Sequence, residues 1–172
     1  MKTKSIFIVF FILLLLGLSA FFLFHKIQLT QQKKTCYNFI PDFQLPDING
    51  NTITSRLLEK NGTIMFLFFN PDCDLCRVEI LQIKENESAL SQGKIVFFSE
   101  APADSIKQFL QIVDFNPGQN MVFLSDKQAT LINKMEVNTT PTIFIYQSGQ
   151  LYKRFNGPVK IETLIHYFTK EQ

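Results

Sequence analysis

A continuous apolar run, Thr63-Ile64-Met65-Phe66-Leu67-Phe68-Phe69, stops at Asn70-Pro71-Asp72 and is followed at once by Cys73-Asp74-Leu75-Cys76. A short aromatic-rich run of this kind predicts a buried strand. The next stretch, Arg77 to Lys84, predicts a helix, so the two cysteines stand where a strand turns into a helix. Cys73 then occupies the helix N-terminus. Unpaired backbone N–H groups and the helix dipole favour a thiolate over a thiol there. The thiolate is the form that attacks a disulfide, and a second sulfur one helical turn on can close a bond with the first.

A Cys-x-x-Cys pair also serves as half of a zinc site or as an inert bridge. Zinc takes about four ligands, and this chain offers one further cysteine, Cys36, and two histidines, His25 and His166, none in a second pair. A bridge closing so short a loop restrains the unfolded chain little. Spacing and strand–helix context favour redox chemistry. No metal ion and no cofactor is expected. His166 lies beside an apolar helical stripe and reads as a surface histidine.

Residues 5–24 carry no charge across twenty positions and are dominated by Phe, Leu and Ile. As a helix they would span about 30 Å, the hydrocarbon thickness of a bilayer. Residues 1–4 form a short tail before this segment. The alternative, a cleaved secretory signal with its weak small-x-small site at Gly17-Leu18-Ser19, is disfavoured because Phe21-Phe22-Leu23-Phe24 continues the apolar run. A transmembrane signal-anchor is therefore expected, single-pass, with a linker over 25–37. Lys2 and Lys4 stand against Lys26, Lys33 and Lys34, so local charge does not orient it. The default for such an anchor places the trailing domain outside the cytoplasm, where a dithiol/disulfide pair is at home. The polar, basic Gln32-Lys33-Lys34-Thr35 before Cys36 argues against lipidation and leaves Cys36 as a spare thiol or an intermolecular bridge.

Residues 38–172 suit one domain with an ordinary core. The net charge of +2, with acidic and basic residues interspersed, gives no reason to expect nucleic acid as a partner. Asn49-Gly50 predicts a hairpin turn between Phe43-Gln44-Leu45 and Thr52-Ile53-Thr54, and Ser55 to Lys60 predicts a turn or two of helix. Lys94 to Ser99, Met121 to Leu124 and Thr142 to Tyr146 predict strands. Ile106, Phe109, Leu110 and Val113 recur at helical spacing. Asp126 is placed to cap a helix carrying Ala129, Ile132 and Met135. Thr142–Tyr146 and Leu151–Phe155 predict a hairpin, and Gly157-Pro158 is expected to open a last helix with Ile161, Leu164, Ile165 and Phe168 on one face. The result is an α/β fold, a mixed sheet covered by helices on both faces.

These residues resemble the thioredoxin-like superfamily, in particular its membrane-anchored TlpA/ResA branch and the related redoxin (AhpC/TSA) domains. Pro41-Asp42-Phe43-Gln44-Leu45-Pro46-Asp47 with Asn49-Gly50 looks like the N-terminal hairpin of these domains. Cys73-x-x-Cys76-Arg77-x-Glu79 looks like the TlpA-type start of the active-site helix, and Thr140-Pro141-Thr142 looks like the cis-proline loop. The resemblance implies that Cys73, Cys76 and Glu79 are catalytic and that Thr140 and Pro141 bind substrate through a loop facing the cysteines. Two departures stand out. Asp72 replaces the tryptophan usual before the first cysteine, the chain having none, and Leu67 replaces the buried aspartate of thioredoxins. Glu79 is the nearest acidic substitute, read equally well as a solvated helix charge.

The function implied is thiol–disulfide exchange with extracytoplasmic (periplasmic) protein thiols. Its partners would be disulfide-bearing clients, a membrane or soluble thiol electron donor, and the lipid bilayer through 5–24. Asp72 and Asp74 flank Cys73 and oppose its thiolate, so the reducing direction is expected. Two alternatives follow from related families. A peroxiredoxin-like peroxidase would need Thr or Ser three residues before its cysteine, where Asn70 precedes Cys73. A copper-binding protein like the SCO group would need a Cys-x-x-x-Cys pair and a distal histidine.

Overall fold

The computed structural model describes residues 2–33, 37–58 and 62–169, with side chains over 11–26, 37–58 and 62–169. Cys36 lies outside the described residues. The chain divides into two units, Met1–Cys36 and Tyr37–Gln172.

The first unit is one helix, α1 (Lys2–Lys33). It does not stop at Phe24 but runs on through much of the polar stretch expected as a linker. That stretch holds Lys, Gln, Leu and Ile and no Gly or Pro, so nothing in it breaks a helix. The apolar side chains from Phe11 to Phe24 are exposed within this unit. Among the described residues, no helix is long and apolar enough to cross a membrane.

The second unit opens with a hairpin, β1 (Gln44–Pro46) and β2 (Thr52–Thr54), paired antiparallel. Gly50 supplies the left-handed residue of its turn, at φ 87°. The Asp47 carboxylate holds the turn by accepting from the backbone N–H groups of Asn49 and Asn51, each at 2.8 Å. A single 3-10 turn, Ser55–Leu57, follows; residues 59–60 of the expected helical stretch lie outside the described residues.

The main sheet comprises β3 (Thr63–Phe68), β4 (Lys94–Ser99), β5 (Met121–Ser125), β6 (Thr142–Gln147) and β7 (Gln150–Asn156). Their order is β5-β4-β3-β6-β7. β3 runs parallel to β4 and antiparallel to β6. The helices are α2 (Asp74–Glu85), α3 (Ala103–Ile112), α4 (Thr130–Lys134) and α5 (Ile161–Thr169).

Alternation along β3 explains its unbroken apolar sequence. Met65 and Leu67, continued by Phe69, enter one core with Ile80 and Ile83 of α2, Ile106 and Phe109 of α3, and Leu164 and Phe168 of α5. Ile64 and Phe66 enter a second core with Phe43 and Leu45 of the hairpin and Leu131 and Ile132 of α4. With both faces covered, every second residue has an apolar layer to enter, so the polar half of the usual alternation disappears. Phe66 meets Phe43, Phe98 and Tyr146 edge-on, with ring centroids 5.6–6.3 Å apart.

Two helix starts differ from the sequence reading. The carboxylate of buried Asp126 does cap α4, accepting from the N–H groups of Thr130, Leu131 and Ile132 at 2.8, 2.8 and 3.0 Å. The residue flanking the helix is nevertheless Ala129, at φ 53°. The last helix begins at Ile161 rather than at Gly157-Pro158. Gly157 is left-handed at φ 102°, and its N–H donates to the Pro141 carbonyl at 2.8 Å. That turn belongs to the loop beside β6 and cannot be the first turn of a helix.

Candidate active site

The sheet order places the cysteines at a point where the chain changes direction. From β3 it moves through α2 to β4 and through α3 to β5, then returns by α4 to β6 on the other side of β3. The carboxyl end of a strand beside such a reversal is the usual place for chemistry in α/β sheets. Pairing of Phe68 with Thr142 brings the segment before β6 alongside the segment after β3. Thr139-Thr140-Pro141 and Asn70-Pro71-Asp72-Cys73 thus become neighbours.

Local chemistry then fixes each sulfur. The Asn70 side-chain oxygen accepts the Asp72 N–H at 2.9 Å, and its carbonyl accepts the Cys73 N–H at 3.0 Å. Cys73 takes extended backbone angles as the N-cap of α2, and its Sγ accepts the Cys76 N–H at 3.3 Å. The cap position usually filled by a hydroxyl or carboxylate is filled here by sulfur. Both cysteines are free thiols, Cys73 half-buried and Cys76 fully buried. Burial pushes the Cys76 thiol up to about 12, and the adjacent Cys73 side chain adds to this. Hydrogen bonds from Thr140 and the Asn70 backbone oppose the shift. Thr140 Oγ1 lies 3.0 Å from Cys76 Sγ. The Thr140–Pro141 peptide is cis.

Glu79 lies one turn beyond Cys76 and is only 1% exposed, so it is not a solvated helix charge. Its Oε2 accepts the Val159 N–H at 2.9 Å, while Oε1 is buried with no hydrogen-bond partner. Burial raises its carboxyl to about 7, against the opposing Val159 bond. Leu67, in place of the expected aspartate, is wholly buried in the core beneath α2. Among the described residues of the site the buried acid is Glu79, and it sits on the helix rather than on the strand.

All five residues singled out from the sequence, Cys73, Cys76, Glu79, Thr140 and Pro141, come together at this end of the sheet. Asn70 and Val159 were not singled out. Asn70 reads only as a strand breaker, although Asn is a recognised turn former whose side chain bonds the backbone two residues on. Val159 contributes a backbone N–H, which no side-chain pattern announces. A cavity of about 500 Å³ borders the Asn70–Asp72 loop and is lined also by Glu100, Pro102, Phe109 and Ile112.

The sequence matches the AhpC/TSA family over residues 37–153. Comparison with curated protein sequences gave no significant match. Among solved structures, similarity extends to a secreted Mycobacterium tuberculosis disulfide oxidoreductase homologous to Escherichia coli DsbE (TM-score 0.64, 15% identity, 73% of this chain and 93% of that one). StoA from Bacillus subtilis superposes with TM-score 0.61 at 20% identity, over 76% of this chain and 98% of its own. The peroxidoxin BcpB from M. tuberculosis gives 0.65 at 16% identity, over 76% and 93%. At these identities the likeness shows a thioredoxin-like fold.

Proposed function

The chain belongs to the AhpC/TSA family, and from that premise we propose that it is a thiol–disulfide oxidoreductase working through Cys73 and Cys76. The observation that carries this reading is the unequal setting of the two sulfurs. Cys73 is partly exposed at the helix N-terminus, whereas Cys76 is buried one turn inside with its thiol held protonated.

In the reducing direction the Cys73 thiolate attacks one sulfur of a client disulfide. A Cys73–client bond forms, the client S–S bond breaks, and the displaced client thiolate takes a proton from solvent. Cys76 then gives up its proton, relayed through a water to Glu79 one turn along α2, whose carboxyl titrates near 7, and attacks Cys73 Sγ. The Cys73–Cys76 bond forms and the client's second thiolate leaves. Two electrons have passed to the client, and a thiol donor restores the dithiol by the same steps in reverse. Glu79 suits the transfer because a base near neutrality can both hold and release the proton at working pH. Thr140 and Pro141 form the edge against which an extended client segment lies. A Cys76 thiolate raised by burial favours the disulfide form, which supports the reducing direction.

The same reading has residues 5–24 as a signal-anchor, with the redox domain outside the cytoplasm and its clients and electron donor there. Its support is the run of twenty uncharged positions. Reduction of insulin disulfides by the full chain, lost in Cys73→Ser, tests the chemistry. Alkaline extraction of membranes, with protease access from the outer side, tests the anchor. Family membership and the likeness to BcpB favour a peroxidase as the second reading. Against it, Asn70 stands where that chemistry uses Thr or Ser, and hydrogen peroxide turnover separates the two.

A further inference from the structure

We propose that Thr140 is a positioning residue for the resolving step, its side-chain hydroxyl holding Cys76 Sγ and donating to it as the sulfur becomes an anion. The inference rests on the roles given above, Cys73 attacking and Cys76 resolving. It assigns Thr140 a task on the protein's own sulfur, distinct from the client contact expected of its loop.

The geometry is direct. Thr140 Oγ1 and Cys76 Sγ are 3.0 Å apart across 64 residues of sequence, and either atom can donate while Cys76 is a thiol. A hydroxyl has both a donor and acceptor lone pairs. It can therefore accept from the S–H at rest and turn its own proton toward the sulfur once Glu79 has taken the thiol proton. Cys76 is 0% exposed, so water cannot solvate the charge that forms. A buried anion without a donor is costly, and a donor aimed in advance at the atom where charge develops removes much of that cost.

The hydroxyl is also held in place. Thr142 Oγ1 donates to the Thr139 carbonyl at 2.7 Å, Gly157 N–H donates to the Pro141 carbonyl, and Thr142 pairs with Phe68 in the sheet. Residues on both sides of Thr140 are thus tied to the core, and its side chain meets Cys76 from the β6 side, while Cys73 caps the same helix at its start. The resolving sulfur is gripped between its helix and this loop. Client docking and the resolving step then share one segment, the client at its outer surface and Cys76 at its inner one.

The test uses the reduced full chain in detergent, with Cys36→Ser so that only two thiols report, mixed with excess 5,5′-dithiobis(2-nitrobenzoate). The first released thionitrobenzoate marks attack by Cys73, and the second marks its displacement by Cys76. Thr140→Val, nearly isosteric but without the hydroxyl, should slow the second phase by about tenfold or more relative to the first, the scale of one lost hydrogen bond to a charged group. Thr140→Ser should restore the second phase. Thr140→Ala, which adds no methyl, should repeat the valine result and serves where valine disturbs folding. A second phase at the parental rate in both Val and Ala variants overturns the proposal. So does an equal fall in both phases, or a serine variant as slow as valine. If the first phase disappears in Cys76→Ser rather than in Cys73→Ser, the assignment of the two cysteines fails instead, which separates that error from an error about Thr140.

Discussion

Exchanging Glu79 for Gln removes a titratable group while keeping its shape, and it should change stability and activity in opposite directions. The carboxyl titrates near 7 in the folded protein and at 4.5 when unperturbed. Between those values the folded state holds a proton that the unfolded chain has released. Stability therefore falls as pH rises from 4.5 through 7, and the loss is complete above that window. The interval corresponds to about 3 kcal/mol at pH 8. Glutamine mimics the protonated acid: its carbonyl accepts the Val159 N–H and its amide occupies the place of the unpartnered Oε1. The variant should match the parent near pH 4 and exceed it by up to about 3 kcal/mol at pH 8, or about 10 °C in melting temperature. Urea unfolding of both reduced proteins at half-unit steps from pH 4 to 8.5 measures the difference, and groups other than Glu79 cancel in it. Exchange should meanwhile slow, because the proton acceptor for Cys76 is gone, and the inflection near pH 7 should vanish from its pH–rate profile. A stability difference that does not change with pH, or a variant weaker than the parent at pH 8, would mean that burial does not hold Glu79 protonated.

Three further outcomes are expected. Cys73→Ser should abolish exchange while Cys76→Ser accumulates mixed disulfides with clients, as seen on non-reducing gels; alkylation of Cys76 before Cys73 in the reduced protein would reverse the roles. Asp126→Ala leaves three N–H groups at the start of α4 unpaired and should cost about 2 kcal/mol or more in urea unfolding; a loss below about 0.5 kcal/mol would mean that water replaces the carboxylate. Leu67→Asp, restoring an acid beneath the cysteines, should destabilise the fold by several kcal/mol, since Leu67 is wholly buried among apolar side chains; a stable variant with faster exchange would show that the strand position still accepts a relay acid.

How far the sequence could be read depended on whether a feature was local. The run Thr63–Phe69 and the stripes Ile106/Phe109/Leu110 and Leu164/Phe168 carry their periodicity within one element, and each becomes the element it announces. Cys73 at a helix start follows from the turn Asn70-Pro71-Asp72 alone. The state of Glu79 did not follow, because its burial is made by the loop holding Val159, eighty residues away. The start of α5 differs from the sequence expectation for a similar reason: Gly157-Pro158 has the residues of a helix opening, but the Gly157 N–H is engaged by Pro141 from the neighbouring strand's loop. The Thr140 hydroxyl on Cys76 depends on strand register, which no single segment contains.

Cys73 and Cys76 are expected to form one reversible two-electron couple. Equilibrating the full chain with Cys36→Ser in dithiothreitol or glutathione redox buffers, quenching with an alkylating agent and weighing the products measures this couple. A single transition is expected in which two thiols convert together to a Cys73–Cys76 bridge, at a potential nearer the about −270 mV of thioredoxin than the about −120 mV of DsbA. Persistence of both free thiols in oxidising buffer, or glutathione adducts on Cys73 that Cys76 never displaces, would contradict it.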